Sequence, residues 1–319
     1  MIKSSSLRIN ILIKRKKYNV NKFKLLLVLN LVMLLYILFK RKITICLCVI
    51  AKNENLYVRE FVEYYYKIGY NKIFIYDNND IGGETFDTVI GDYIKKDFVK
   101  LIDFRGRNSL SRPQFDAYKD CYSKNNKIYD WLSFFDIDEF LELNKKYKNI
   151  QDFLNDKMFD HCQNIKINWV LNYNENNLYY KDIPLQQRIT NFNYKNLANK
   201  HIKSTVRGNL SVNYWKKVGN PHSSLLKFTS CSSSGKITQF NSPFIFPPDY
   251  TNAKLKHYFY KSFEEFCIKA KRGKGDRTLR ENNKIKYKAF KDIYKQNKDN
   301  VEKIKIIKKI FNESFYKLK

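Results

Sequence analysis

Residues 131–143 read WLSFFDIDEFLEL, and the fold turns on how this stretch is read. Its aromatic and branched side chains mark a buried strand over 131–138, yet Asp136, Asp138 and Glu139 accompany them. Unpaired buried charge is strongly disfavoured, so the acids belong at the strand's end, facing a crevice. Asp136 and Asp138 are two apart, so on an extended strand both carboxylates point to one side and Ile137 to the other. Two such carboxylates repel unless a proton or a cation lies between them. A hard divalent ion, Mn²⁺ or Mg²⁺, suits oxygen ligands and keeps positions open for substrate phosphates. The alternative is a strand terminus whose acids are solvated or cap the next element.

Working outward, ITICLCVIA (43–51) is a continuous apolar run, read as a fully buried strand ending at Lys52, Asn53 and Glu54. A helix over 55–70 with Gly69 as its stop precedes a second strand, KIFIYDNND (72–80). FDTVIGDYIKK reads as a helix, FVKLIDF (98–104) as a third strand and 112–125 as a further helix. Strand and helix alternating at this spacing predict an α/β fold, a Rossmann-like, mostly parallel sheet flanked by helices. Ligands of such sheets bind beyond the carboxyl ends of the strands. That gathers Asn53, Glu54, Asp77 and the acids at 136–139 around one crevice. Neither GxGxxG nor a P-loop is present. Further on, 164–173 and 256–261 read as strands, and 184–245 as short strands among Asn- and Ser-rich turns. SFEEFCIKAKRG (262–273) reads as a helix opened by a capping box.

The segments CVIAKNE, IYDNND, QFDAYKDC and WLSFFDIDEF, then INWVLNY (167–173), IKSTVR (202–207), NPH (220–222) and HYFYKSFEEFCIKAKRG (257–273), resemble in that order the motifs of glycosyltransferase family 92 and its family-2-like relatives. The resemblance covers about residues 43–273. It implies a GT-A fold and inverting transfer of a hexose, galactose first, from a UDP-sugar to a glycan acceptor with Mn²⁺ or Mg²⁺. It also implies that Asn53, Glu54 and Asp77 form the nucleotide pocket, with Asp77 near the uracil or ribose. Asp136 and Asp138 match the DxD motif, and Asp138 binds the metal directly. Glu139 faces the donor sugar, His222 and His257 compete for the metal or diphosphate, and Lys203 and Arg207 clamp the diphosphate. The loop DNNDIGG (77–83) departs from the family pattern by carrying Asp80 where Ser is expected. Inversion needs a carboxylate base near the acceptor hydroxyl, for which Glu175 is the candidate, with Asp182 behind it. Trp169 and Trp215 are candidate stacking surfaces for acceptor sugars, with core packing as the alternative.

The 319 residues carry 60 Lys and Arg against 31 Asp and Glu, a formal net charge of +29, but only 12 are Arg. Base readers rely on bidentate Arg, so this Lys- and Asn-rich bias speaks against nucleic acid. Compositional bias toward Lys, Asn, Ile and Tyr accounts for the charge, and a positive field would still attract an anionic substrate such as a sugar nucleotide. Residues 23–39, FKLLLVLNLVMLLYILF, follow eight basic residues between Lys3 and Lys24 and precede Lys40, Arg41 and Lys42. At about 1.5 Å per residue they span roughly 25 Å. They are read as a single-pass membrane anchor at 23–41 with a cytoplasmic basic segment at 1–22, of Golgi or ER type if eukaryotic. A core or interfacial helix and a signal peptide are the alternatives. The transferase domain is placed at 42–280, and 281–319 is a Lys-rich helical tail, docked or solvated. The six cysteines are scattered without CxxC and read as core thiols, with a disulfide possible but not signalled. Two other classes stay open: another metal-dependent nucleotidyl or phosphoryl transferase, and a non-catalytic basic carbohydrate-binding module.

Overall fold

The computed structural model describes residues 24–30, 42–106, 112–174, 177–211, 213–215, 218–224, 226–275 and 277–311. Met1–Lys42 and Ile43–Lys319 form two compact units. In the first, residues 24–30 are helical and exposed. The rest of the apolar run at 23–39 lies outside the described residues, and among them no helix is long and apolar enough to cross a membrane.

The second unit is a mixed α/β layer structure. Its strands are β1 (Ile45–Ala51), β2 (Lys72–Asp77), β3 (Val99–Asp103), β4 (Trp131–Phe134), β5 (Glu139–Leu143), β6 (Asn164–Asn172), β7 (Phe192–Asn193), β8 (Ile202–Arg207), β9 (Val218–Asn220), β10 (Ser223–Ser224), β11 (Ser230–Cys231), β12 (Ile237–Thr238) and β13 (Ala253–His257). The helices are α1 (Asn55–Lys67), α2 (Asp87–Lys95), α3 (Pro113–Asn125), α4 (Ile150–Leu154), α5 (Leu185–Arg188), α6 (Phe263–Arg272), α7 (Leu279–Gln296) and α8 (Val301–Phe311). The main sheet runs β12-β11-β6-β8-β4-β1-β2-β3. Strands β4, β1, β2 and β3 are parallel, while β8 lies antiparallel between β4 and β6. The sheet is thus mostly parallel, with one reversed strand beside β4.

Period-2 alternation divides β1 between two apolar layers. Ile45, Leu47 and Val49 pack with Val58, Phe61 and Tyr65 of α1, and Cys46 and Cys48 pack with Tyr118, Cys121 and Tyr122 of α3. On α1 the buried Tyr57, Val58, Phe61, Val62 and Tyr65 recur at helical spacing. The helix ends before Gly69, whose φ of +97° is strained for any side chain, and where a Cβ would meet Gln151 Oε1 at 2.7 Å.

The structure corrects the strand read over 131–138. β4 stops at Phe134, and Phe135–Asp138 form a turn closed by Glu139 N–H donating to the Asp136 carbonyl at 3.1 Å. Phe135 and Ile137 remain buried because this turn packs against the core, so the apolar pattern outlasts the strand. β13 likewise lies earlier than the expected 256–261. It pairs antiparallel with β5 and parallel with β6, and Tyr258 N–H then donates to the Asp138 carbonyl at 2.9 Å.

The capping box on α6 is present, with Ser262 and Glu265 exchanging bonds between side chain and backbone. Cys267 of α6 shares an apolar cluster with Phe290 and Ile293 of α7 and Ile306, Ile307 and Phe311 of α8. The Lys-rich tail therefore buries its apolar stripe on α6. Cys162 and Cys231 form a disulfide, because β11 pairs with the start of β6 and brings together residues 69 apart in sequence. Cys46, Cys48, Cys121 and Cys267 are free and buried.

Glu265 ties three helices together. It accepts from both Nη atoms of Arg188 on α5, from the Tyr57 hydroxyl on α1 and from Ser262 N–H. Burial pushes its carboxyl up, but these partners outweigh burial and bring its pKa down to about 2. A depressed carboxyl stabilises the fold above its unfolded pKa, and that contribution is lost as pH falls from about 4.5 through about 2. Glu265→Ala strands buried Arg188 and is expected to cost about 3–5 kcal/mol in urea unfolding at pH 7. The same variant should lose less stability than the parent between those pH limits.

Candidate functional site

A cleft of about 290 Å³ opens beyond the carboxyl ends of β1 and β4. Glu54, Asp136, Asp138, Trp169, Lys203, His222 and His257 all line it, so seven of the candidate site residues singled out from sequence converge there. Asp136 and Asp138 share the cleft because of the turn, not because of strand parity.

Lys203 is the buried cation of the site. Its Nζ lies 2.8 Å from Asp136 Oδ2 and 3.6 Å from Glu139 Oε2, with 1% of its side chain exposed. Burial alone pushes an ammonium's pKa down, but Asp136 and Glu139 outweigh it and raise that of Lys203. Asp136 also accepts from Gln114 Nε2 at 3.0 Å and from the Tyr118 hydroxyl at 3.4 Å. Burial opposes its ionisation, and Lys203 reverses that, so its carboxyl is held down. Glu139 is fully buried, accepts from Asp136 N–H at 2.9 Å and has Oε1 without a partner. Burial pushes its carboxyl well up, with Asp136 adding to the effect. It does not line the cleft, so the structure does not place it against a donor sugar; it braces the turn and Lys203 from behind.

Asp138 is held differently. Lys269 of α6 donates to Oδ2 at 2.7 Å, while Oδ1 lies 3.6 Å from His257 Nε2. Burial again opposes its ionisation, but Lys269 and His257 hold its carboxyl well below the usual range. His257 arrives because β13 pairs it directly with Glu139. Burial lowers its pKa to about 4, which keeps the imidazole neutral near pH 7. Asp138 and His257 could supply a divalent ion with two adjacent ligands. Adjacent ligands at ~2.1 Å on an octahedral ion stand about 3 Å apart, close to the Asp138–His257 separation. His222 is also neutral, lowered to about 3 by burial with Lys203 adding to it, and its Nδ1 lies 2.9 Å from the Ile202 carbonyl oxygen. Among the described residues the three-residue group of potential ligands within 4.8 Å of one another is His161, Cys162 and Cys231, and the cleft carboxylates with His257 do not form one. Its two sulfurs are joined in the disulfide, so it is no metal centre.

Other expectations are redistributed. Asn53 is exposed, has φ +51° and lines adjacent cavities. Glu54 pairs with Arg272 of α6, which also donates to the Lys52 carbonyl at 2.9 Å. Asp77 ends β2, but its Oδ2 accepts from Arg105 Nε at 2.8 Å and Nη2 at 2.7 Å, and it does not line the cleft. Its neighbour Asn78 does, 4% exposed, with a buried Oδ1 lacking a partner. Arg207 is not a cleft residue. It sits at the other end of β8, stacked 4.4 Å over Trp131 and donating to the Phe159 and Cys162 carbonyls. Asp182 lines a separate cavity and accepts from the Tyr180 hydroxyl at 3.1 Å. Glu175 lies outside the described residues. Trp169 lines the cleft, its ring 4.5 Å from His257, 4.9 Å from His201 and 5.3 Å from His222. Trp215 is fully buried against Tyr118 and Phe134, so it packs the core and offers no sugar surface. Sequence reasoning passed over Lys269, Arg272, Gln114 and Asn78. The signal for the first two was their i, i+3 spacing at the end of a capped helix.

A model of glycosyltransferase family 92 matches residues 41–308. The chain belongs to glycosyltransferase family 92. A family 92 protein of Ricinus communis is 30% identical over 98 residues, 31% of this chain and 17% of that protein. One of Oryza sativa subsp. japonica is 29% identical over 100 residues, 31% of this chain and 16% of that protein. The aligned part of this family 92 chain thus spans less than a fifth of the length of either relative. Among solved structures, S. aureus TarS 1–349 is 11% identical with a TM-score of 0.34, covering 81% of this chain and 73% of that one. TarS 1–349 in complex with UDP is 14% identical with a TM-score of 0.31, covering 43% and 38%. Likeness at this level assigns no residue.

Lys203→Met leaves Asp136 and Glu139 without their internal cation. It is expected to destabilise the family 92 unit by about 3–5 kcal/mol in urea unfolding at pH 7.

Proposed function

We propose that this chain is a GT-A-type glycosyltransferase that moves a hexose, galactose in the first instance, from a UDP-sugar to a glycan hydroxyl with inversion. One observation carries the reading: in a family 92 chain, Asp136, Asp138 and His257 converge with Lys269 and Arg272 on a single cleft at strand ends. Asp138 and His257 would hold Mn²⁺ or Mg²⁺, with Asp136 alongside. Bound there, the ion would neutralise charge developing on the departing diphosphate.

The protein's own groups do the rest. Lys269 and Arg272 set positive charge against the leaving UDP. The acceptor oxygen bonds to the anomeric carbon as the bond to the diphosphate oxygen breaks, and the acceptor proton passes to a base. Each described carboxylate lining the cleft already faces a cation, Glu54 facing Arg272, Asp136 Lys203 and Asp138 Lys269. The base is therefore sought outside this set, and Glu175 keeps that role in the proposal. Trp169 offers an apolar face to a sugar. The apolar run at 23–39 with its basic flanks supports attachment of the unit to a membrane.

Asp138→Ala should abolish both Mn²⁺-dependent UDP binding and UDP-galactose hydrolysis without acceptor, each measured against chelator-treated parent protein. Retention of both would remove the central assignment. Base recognition is assigned to Asn78, since Arg105 already occupies Asp77. An amide matches the N3–H and carbonyl edge of uracil. Asn78→Ala should weaken UDP binding about 5- to 150-fold, as loss of a buried hydrogen-bonding partner does, by calorimetry with Mn²⁺ present.

A further inference from the structure

Beside the cleft a second cavity, of about 560 Å³, opens between α6, α7, α8 and the turn after β1. This falls within the about 300–1,000 Å³ typical of small-ligand sites. Ile268 and Ile310 give it apolar surface, and its charged lining is five cations against two carboxylates. Both carboxylates are already matched, Asp80 with Lys52 at 2.6 Å and Glu264 with Lys309 at 3.0 Å. Arg272 is matched from the cleft side by Glu54.

Two lysines are left over. Lys271 donates to the Ile310 carbonyl at 2.6 Å, and Lys286 makes no ion pair among the described residues. Partial burial, with Lys52 and Lys271 nearby, lowers the pKa of Lys286. Lysines spread over a convex surface avoid one another in water, whereas Lys271, Lys286 and Lys309 are held together in a concavity by α6, α7 and α8. Such crowding of like charge is relieved by a bound anion. The cavity shares Lys52, Arg272 and Lys286 with the cleft, so an anion held in it lies next to the donor site.

We propose that this second cavity binds an anionic group of the acceptor, a carboxylate, sulfate or phosphate ester on a sugar, so that acidic glycans are the preferred acceptors. The proposal rests on the glycosyltransferase reading of the cleft, and its test keeps the two apart. Lys271 and Lys309 line only the second cavity. Glucuronate, galactose 6-sulfate, mannose 6-phosphate and neutral galactose would be titrated into UDP- and Mn²⁺-saturated protein by calorimetry. The parent and the Lys271→Gln/Lys309→Gln variant would be compared, with Lys271→Gln alone as a second variant should the double one fold poorly.

At least one acidic sugar is expected to bind the parent at least tenfold more tightly than galactose, and which one does so identifies the group. The double variant should lose most of that margin, the single variant part of it, and both should retain UDP-galactose hydrolysis. Equal binding of acidic and neutral sugars by the parent, or an unchanged margin in the variants, would overturn the proposal. Absence of hydrolysis in the parent would count against the donor reading, while the binding margin would still report on the cavity.

Discussion

Lys203 is the residue on which the arrangement of this site depends. A carboxylate pair at the end of a buried strand needs a cation within the protein, and a surface lysine held by solvent would not fix its position. β8 supplies one because it runs antiparallel to β4. Their register pairs Phe134 with Ser204, which puts Lys203 just past the end of β4, level with the turn that carries Asp136. In a parallel partner, the residue at that level would come from the other end of the strand. The single reversed strand in an otherwise parallel neighbourhood is what allows acids to stand there.

The two aspartates are compensated from opposite directions, and this divides their roles. Asp136 is matched from below by a lysine with almost no exposure, and Glu139 behind it is pushed toward its neutral form. Their geometry is set by the sheet. Asp138 is matched from above by Lys269, whose helix is fixed by a capping box and by α7 and α8 packed against it. The tail helices thus act on the site at one remove, by holding the helix that carries Lys269 and Arg272. Net charge has little part in this, because the pairings lie within about 4 Å while solvated charges are screened beyond about 8–10 Å.

Much of the fold was legible because the strands buried on both faces are continuous apolar runs, as at 45–51 and 72–77. The end of β4 was not, since Phe135 and Ile137 stay buried through the turn and sustain a strand-like pattern. Strand direction also leaves no local trace. Lys203 and Arg207 share one face of β8 by parity, and only its orientation decides that the first reaches the cleft and the second stacks on Trp131. Asp77 was placed at the correct strand end, but its partner Arg105 follows a different strand. The Cys162–Cys231 bond joins residues whose nearness depends on β11 pairing beside β6. Each of these depends on contacts distant in sequence.

The pairing of charges bears on how two ligands of opposite sign would enter such a cleft. A diphosphate arriving alone would meet Lys269 and Arg272 but also the carboxylates of Asp136 and Asp138. A divalent cation arriving alone would meet those carboxylates but also the ammonium groups already upon them. Together, each ligand covers the groups that repel the other, and neither aspartate has to give up its lysine. On the proposed reading, cation and nucleotide therefore raise one another's affinity by the same factor, as linkage requires. On that reading the cleft is suited to the metal–nucleotide pair as a unit.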